Sequence, residues 1–139
     1  MNDNNFFTID VGNTDIVIAL IKDFQIYKIN RYKTIDFRNK KLLLFKKFIQ
    51  IKKILTRQNK IHCIISSVVP EINYNLKKTC ISFLKESPHF VSFNKTKLNI
   101  KINLKNKSQV GADRITNTIA VKSLYKKAPT LVIDFGTTT

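Results

Sequence analysis

The stretch Ile9-Asp10-Val11-Gly12-Asn13-Thr14 returns near the other end of the chain as Ile133-Asp134-Phe135-Gly136-Thr137-Thr138. Both copies have the form Ile-Asp-(apolar)-Gly-(polar)-Thr. Each closes a β-type run, Phe6 to Val11 in one case and Thr130 to Phe135 in the other. A strand-end device used twice predicts a duplicated architecture. A carboxylate at a strand end can hold a cation directly or through water. A glycine lets the backbone approach a phosphate, and Asn or Thr side chains and N–H groups donate to phosphate oxygens. Two copies facing each other would clamp a polyphosphate. A single copy reads more simply as a hairpin turn in which Asp and Asn satisfy local N–H groups. The second copy favours phosphate.

Glycine usage points to the same residues. Average composition, about 7% glycine, would give about ten in this length; the chain has 3. Each lies two residues from an aspartate, in Asp10-Val11-Gly12, Gly111-Ala112-Asp113 and Asp134-Phe135-Gly136. Glycines kept in such a chain mark tight turns or close approach to a ligand. All three become site candidates.

Outward from the first motif, Phe6 to Val11, Ile16 to Ile21 and Phe24 to Asn30 predict three strands of an antiparallel meander. From about Asp36 to Arg57, apolar residues at three- and four-residue spacings with lysines between them predict an amphipathic helix with a solvated lysine face. Ile61 to Val69 predicts a buried strand ending in Ser66-Ser67-Val68-Val69-Pro70, and Glu71 to Lys85 a helix. A short strand is predicted over Phe90 to Phe93 and a half-exposed one over Leu98 to Leu104. Gly111 to Lys127 has helical spacing, with Ser108 upstream as a candidate cap, and Thr130 to Phe135 is a last β run.

Gly111-Ala112-Asp113-Arg114 lies between the two strand-end motifs. An acid at the start of a helix can simply complement the macrodipole, with the arginine facing solvent. The functional alternative has Asp113 accept a proton from a substrate hydroxyl while Arg114 holds an anionic group of that substrate. Phosphoryl transfer has a loose transition state and depends chiefly on positioning and charge neutralisation, so a weak base suffices.

Composition sets outer limits. The 139 residues predict one domain or a little less than two, and 43% hydrophobic content supports a core. No apolar run approaches the roughly 20 residues that span a bilayer. The polar start Met1-Asn2-Asp3-Asn4-Asn5 is unlike a signal peptide. These features predict a cytoplasmic protein without a membrane partner. The net charge of +16 comes from 25 Lys+Arg, 21 of them Lys, spread along the chain beside 20 Ile and 14 Asn. A+T-rich codon bias explains that excess. An anionic partner, nucleic acid or phosphorylated ligand, is the alternative, and the field attracts nucleotides either way. Cys63 and Cys80 lack a CxxC or paired-histidine context and are predicted as reduced, buried thiols. His62 and His89 lie outside every motif and are not expected to bind metal.

Taken together and in this order, Asp-x-Gly-Asn-Thr, Ser-Ser-Val-Val-Pro, Gly-x-Asp-Arg and Asp-x-Gly-Thr strongly resemble the type III pantothenate kinases, of the acetate and sugar kinase/Hsc70/actin superfamily. The resemblance covers nearly the whole chain. It implies an α/β fold in which residues 1–129 form a ribonuclease H-like (actin-like ATPase) N-terminal half, a mixed sheet with flanking helices. Residues 130–139 would be the first strand and phosphate loop of an incomplete second domain. It implies ATP-dependent phosphorylation of pantothenate to 4′-phosphopantothenate, the first step of coenzyme A biosynthesis. By the same resemblance, Asp10, Val11, Gly12, Asn13 and Thr14 form the first ATP phosphate loop, with Asp10 near Mg²⁺. Gly111, Ala112, Asp113 and Arg114 contact pantothenate, with Asp113 the catalytic base. Asp134 ligates a monovalent cation, K⁺ or NH₄⁺, and Thr137 touches ATP phosphate. Family members are homodimers whose pantothenate sites are completed by the partner subunit.

The chain departs from the family pattern in places. Thr138 stands where alanine is common, and Asp15 adds a charge beside the first phosphate loop, which would weaken ATP binding or help hold a metal. The sequence stops at Thr139. The resemblance implies that the adenosine contacts, a further substrate threonine and most of the dimer surface would follow, so an unpaired strand edge is expected and activity of this chain alone stays open. Two other classes stay open here: a non-catalytic regulatory or accessory protein on the same scaffold, and a basic nucleic-acid-binding module. The even spread of lysines, and the lack of a stacking pattern among Tyr27, Tyr32, Tyr74 and Tyr125, weigh against nucleic acid.

Overall fold

Phe7, Ile9 and Val11 alternate with Phe6, Thr8 and Asp10, so the first strand, β1 (Phe6–Val11), has one apolar face and one mixed face. It lies at the centre of a five-stranded mixed sheet in a computed structural model that describes residues 5–39, 61–92, 100–125 and 129–135. β2 (Asp15–Lys22) and β3 (Gln25–Lys33) complete the predicted antiparallel meander. β4 (His62–Ser67) runs parallel to β1 on its other side, and the two-residue β5 (His89–Phe90) runs parallel to β4. The strand order is β3-β2-β1-β4-β5.

Register keeps the apolar faces together. Ile9 stands opposite Ile18 on β2 and Ile65 on β4, and Phe7 opposite Leu20 and Cys63. On that face lie Phe37 of α1 (Thr34–Asn39) and Ile72, Leu76, Cys80 and Leu84 of α2 (Pro70–Leu84), all in one buried cluster with the strand residues. Pro70 suits the first turn of α2, where its missing N–H has no intrahelical partner to lose. Lys85 ends that helix in the left-handed conformation, its N–H bonded to the Ile81 carbonyl at 3.1 Å. α3 (Ala112–Leu124) buries Ala112 and Ile115 apart from this cluster. Asp10 and Ser66 project from the sheet face opposite the main core.

The structure departs from the sequence expectations in several places. The third strand starts at Gln25, because Asp23 and Phe24 (φ 49° and 63°) form the two-residue turn before it. Gly111 is the N-cap residue of α3, so the cap is not Ser108, which belongs to a 3₁₀ turn at Lys107–Gln109. β5 stops at Phe90, although the Val91 N–H continues its pairing with a bond to the Ile65 carbonyl at 2.8 Å. Residues 100–104 of the predicted Leu98–Leu104 strand have no regular structure, since alternation makes a strand only where a ladder partner exists. Residues 130–135 likewise form no strand, and Leu131, Val132, Ile133 and Phe135 are exposed. The α3 stripe is half covered: Ile115 is buried, whereas Ile119 and Leu124 are exposed. Most of the predicted Asp36–Arg57 helix, together with Phe93, Lys126, Lys127 and Gly136 to Thr139, lies outside the described residues.

Candidate active site

β1 ends at Asp10 and Val11, and the chain turns through Gly12, Asn13 and Thr14 into β2. The Gly12 N–H donates to the Asp15 carbonyl at 2.9 Å, and a Cβ at Gly12 would stand 3.2 Å from that oxygen. A side chain there would crowd that oxygen and require the turn to give by a few tenths of an ångström; the φ of Gly12 is not positive. Asn13 and Thr14 are exposed at the turn. Thr34, the first residue of α1, braces the loop from behind. Its hydroxyl donates to the Gly12 carbonyl at 2.7 Å and its N–H to the Thr14 carbonyl at 2.8 Å.

The second wall is the turn after β4. The Val68 N–H donates to the Val11 carbonyl at 3.0 Å, which carries the β1–β4 pairing past the strand ends. The Ser67 hydroxyl donates to Asn73 Oδ1 at 2.7 Å and accepts the Val69 N–H at 3.3 Å, locking the turn onto α2. Gly111 packs against it. A Cβ there would collide with Asp113 Oδ1 and would lie 3.6 Å from Val68 Cγ1. The Asp113 carboxylate is folded back over the glycine and accepts the Arg114 N–H at 2.7 Å. Glycine at 111 makes the room that this carboxylate occupies.

Asp10 and Ser66 are register partners on β1 and β4. Ser66 is 8% exposed and its hydroxyl makes no complete hydrogen bond. The Asp10 carboxylate reaches solvent on one side, yet its pKa is raised, first because packed protein removes water from the other side. The nearby Ser66 hydroxyl pulls it down, the Asp113 and Asp134 carboxylates push it up, and the Arg31 guanidinium lowers it slightly. Three sequence-predicted acids, from β1, α3 and the 129–135 segment, thus share one electrostatic neighbourhood. Among the described residues no group of three His, Cys, Asp or Glu is close enough to ligate an ion by itself.

Asp15 is not a stray charge. Its carboxylate is 3.3 Å from Arg31 Nη1 and 3.0 Å from Lys33 Nζ on the neighbouring strand, and the Lys33 contact above all holds its pKa below the usual carboxylate range. Cys63 and Cys80 are buried and unbridged, with sulfurs 4.0 Å apart. The Cys80 contact and burial push the Cys63 thiol strongly up and keep it protonated. His62 pairs with Glu86 at 2.9 Å. A shallow cleft of about 550 Å³ runs between α2 and β5, lined by Asn73, Lys77 and His89 among others. None of Asp10, Gly111 or Asp113 lines it.

Of the sequence-predicted site, Asp10 to Thr14, Gly111 to Arg114 and Asp134 are described, and Thr137 is outside the described residues. Thr34, Arg31 and Ser66 have no site role legible in the sequence alone. Thr34 carries no local signal, since its partner is 22 positions away. Ser66 lies within the Ser-Ser-Val-Val-Pro motif, whose spacing alone gives it no separate role.

No helix among the described residues is long and apolar enough to cross a membrane. The family profile described as Type III pantothenate kinase matches residues 6–139. A curated relative from Desulforapulum autotrophicum, named Type III pantothenate kinase, is 39% identical over 137 residues, an alignment covering 94% of this chain and 50% of the relative. The chain thus spans about half the length of that protein. The five-stranded mixed sheet with flanking helices accords with the actin-like ATPase, ribonuclease H-like fold of such kinases. With motifs, sheet order and family profile in agreement, the chain belongs to the type III pantothenate kinase family.

Proposed function

We propose that this chain carries the phosphate-loop and substrate-carboxylate half of an ATP-dependent pantothenate kinase, which converts pantothenate to 4′-phosphopantothenate at the start of coenzyme A synthesis. The observation that carries the reading is the convergence of Asp10 and Asp113, far apart in sequence, into one electrostatic neighbourhood beside a glycine turn.

In this reading the pantothenate hydroxyl oxygen attacks the γ-phosphorus of ATP. Its bond to phosphorus forms as the bond to the β,γ-bridging oxygen breaks, and the hydroxyl proton passes to the Asp113 carboxylate while ADP leaves. Gly111 leaves the room that this carboxylate occupies, and the backbone at Gly111 and Ala112 would lie against the substrate. The exposed Arg114 side chain takes the pantothenate carboxylate. The turn from Val11 to Thr14 donates N–H and side-chain groups to ATP phosphates.

The donor set fits a hard cation. Burial first, and the nearby Asp113 and Asp134 carboxylates after it, disfavour the charged form of Asp10, and a bound cation would offset both; an oxygen ligand of this kind suits Mg²⁺, which keeps water and phosphate ligands. Asp10 would hold it, and bound Mg²⁺ would neutralise phosphate charge. Asp134 would hold K⁺ or NH₄⁺, and Thr137 would contact ATP phosphate. Residues 130–139 would open a second domain, and a homodimer would complete the pantothenate site.

The test is mass-spectrometric detection of 4′-phosphopantothenate from the purified chain with pantothenate, ATP, Mg²⁺ and K⁺, alongside thermal melts with each ligand. Product, or ligand-dependent stabilisation, that disappears in Asp113→Asn or Asp10→Asn is expected. A folded chain that yields no product and is stabilised by neither ligand would overturn the reading.

A further inference from the structure

A turn that binds phosphate through its backbone must hold its peptide planes in one orientation without the ligand, and the Gly12–Thr14 turn has one internal backbone bond among the described contacts, Gly12 N–H to the Asp15 carbonyl. Two further bonds to the turn come from Thr34. This side chain is fully buried, and it contributes both of its donors to the turn. Its N–H belongs to the first turn of α1, where helix geometry offers no intrahelical acceptor; it goes to the Thr14 carbonyl at 2.8 Å. The hydroxyl goes to the Gly12 carbonyl at 2.7 Å.

The second bond sets a direction. In a trans peptide the C=O and the following N–H point opposite ways, and the chain contains no cis peptide among the described residues. Drawing the Gly12 carbonyl inward to Thr34 therefore turns the Asn13 N–H outward, on the exposed side of the turn. We propose that Thr34 is a positioning residue for nucleotide binding: it fixes the Gly12–Asn13 peptide so that the Asn13 N–H is aimed at a phosphate oxygen before ATP arrives. The inference rests on the reading of Gly12–Thr14 as a phosphate loop. It adds a residue that touches neither substrate, and it makes the start of α1 part of the nucleotide site. Preorganised donors bind more tightly because the ordering is already done.

Thr34→Val keeps the buried shape and the N–H but removes the hydroxyl, and Thr34→Ser restores it. Losing this one bond is expected to weaken MgATP binding by about fivefold to tenfold in Thr34→Val, with Thr34→Ser within about twofold of wild type. Amide hydrogen exchange at Gly12 in the ligand-free full chain is expected to accelerate several-fold in Thr34→Val and not in Thr34→Ser. Should the valine variant fail to fold, Thr34→Ala is the second deletion variant and must show the same loss of MgATP affinity. A lowered melting temperature with wild-type MgATP affinity would make Thr34 merely structural and overturn the proposal, as would unchanged Gly12 exchange. A wild-type chain that binds no MgATP would remove the phosphate-loop reading, while the exchange comparison would still decide whether Thr34 orders the turn.

Discussion

Asp10 and Ser66 face each other in the parallel register of β1 and β4, so the carboxylate that ends the central strand has a buried, otherwise unbonded hydroxyl as its neighbour. The raised Asp10 pKa means that the folded state holds this proton more tightly than the unfolded chain does. Its contribution to stability is present below the unfolded-state pKa and is lost as pH rises through the folded-state value. Asp10→Asn is therefore expected to raise the melting midpoint at pH 7 by roughly 1–2 °C, a small gain because a partly solvated carboxylate is well screened. No gain is expected near pH 3, where the aspartate is protonated in both states. Equal midpoints at pH 7 would contradict the electrostatic account.

Ser66→Ala tests the other partner. The hydroxyl lowers the Asp10 pKa, so its removal should move the Asp10 carboxyl titration, followed by carbon NMR, to higher pH. Folding stability should change little, because the substitution also removes a buried polar group without a complete bond. A downward or absent shift would mean that Ser66 does not serve Asp10.

Gly111→Ala separates site geometry from stability. Its backbone angles, φ −59° and ψ 149°, are open to alanine, and the atom in the way is the end of a movable side chain, Asp113 Oδ1. The fold should persist while the carboxylate is displaced. Product formation is expected to fall by at least about tenfold with little change in the thermal melt. Wild-type turnover in this variant would argue that Asp113 does not act from its observed position.

Asp15→Asn frees Arg31 and Lys33 beside the proposed phosphate loop. MgATP should bind about twofold to threefold more tightly at low salt, with the difference fading as ionic strength rises. Calorimetric titration at two salt concentrations reads this directly. Weaker binding would assign Asp15 a direct role at the metal instead.

The β2–β3 turn carries a cost that can be removed. Asp23 and Phe24 both have positive φ, and Phe24 is 77% exposed, so the ring gains no burial in return for an unfavourable backbone. Replacing the pair with Asn-Gly should stabilise the chain by about 0.5–1 kcal/mol, seen as a higher urea midpoint at constant slope.

The meander, the strand after it and the helices at Pro70 and Ala112 were legible because their apolar periodicity survives burial on one face. The candidate site was partly legible as a set of neighbouring residues. Asp10, Gly12, Gly111 and Asp113 could be named from local spacing, since each sits at an element end where only certain residue types fit. Thr34 could not, because its bonds join positions whose separation depends on how α1 docks. Nor could the pairing of Asp15 with Lys33, which requires the β2–β3 register. The alternating Leu98–Leu104 run misled because period two describes a surface, while a strand also needs a neighbour.

The parallel pairing of β1 with β4 also bears on how the molecule assembles. β1, β2 and β3 join through short turns and can zip up as local hairpins, on the order of microseconds each. β4 reaches β1 only after the long intervening segment has closed, an entropic cost borne before any contact with it forms. Asp10 therefore acquires Ser66 as a neighbour through the least local pairing in the sheet. The neighbourhood of Asp10 exists only once the chain has completed this long-range closure, so nascent or partly opened molecules present the Gly12–Thr14 sequence without its β4 partners.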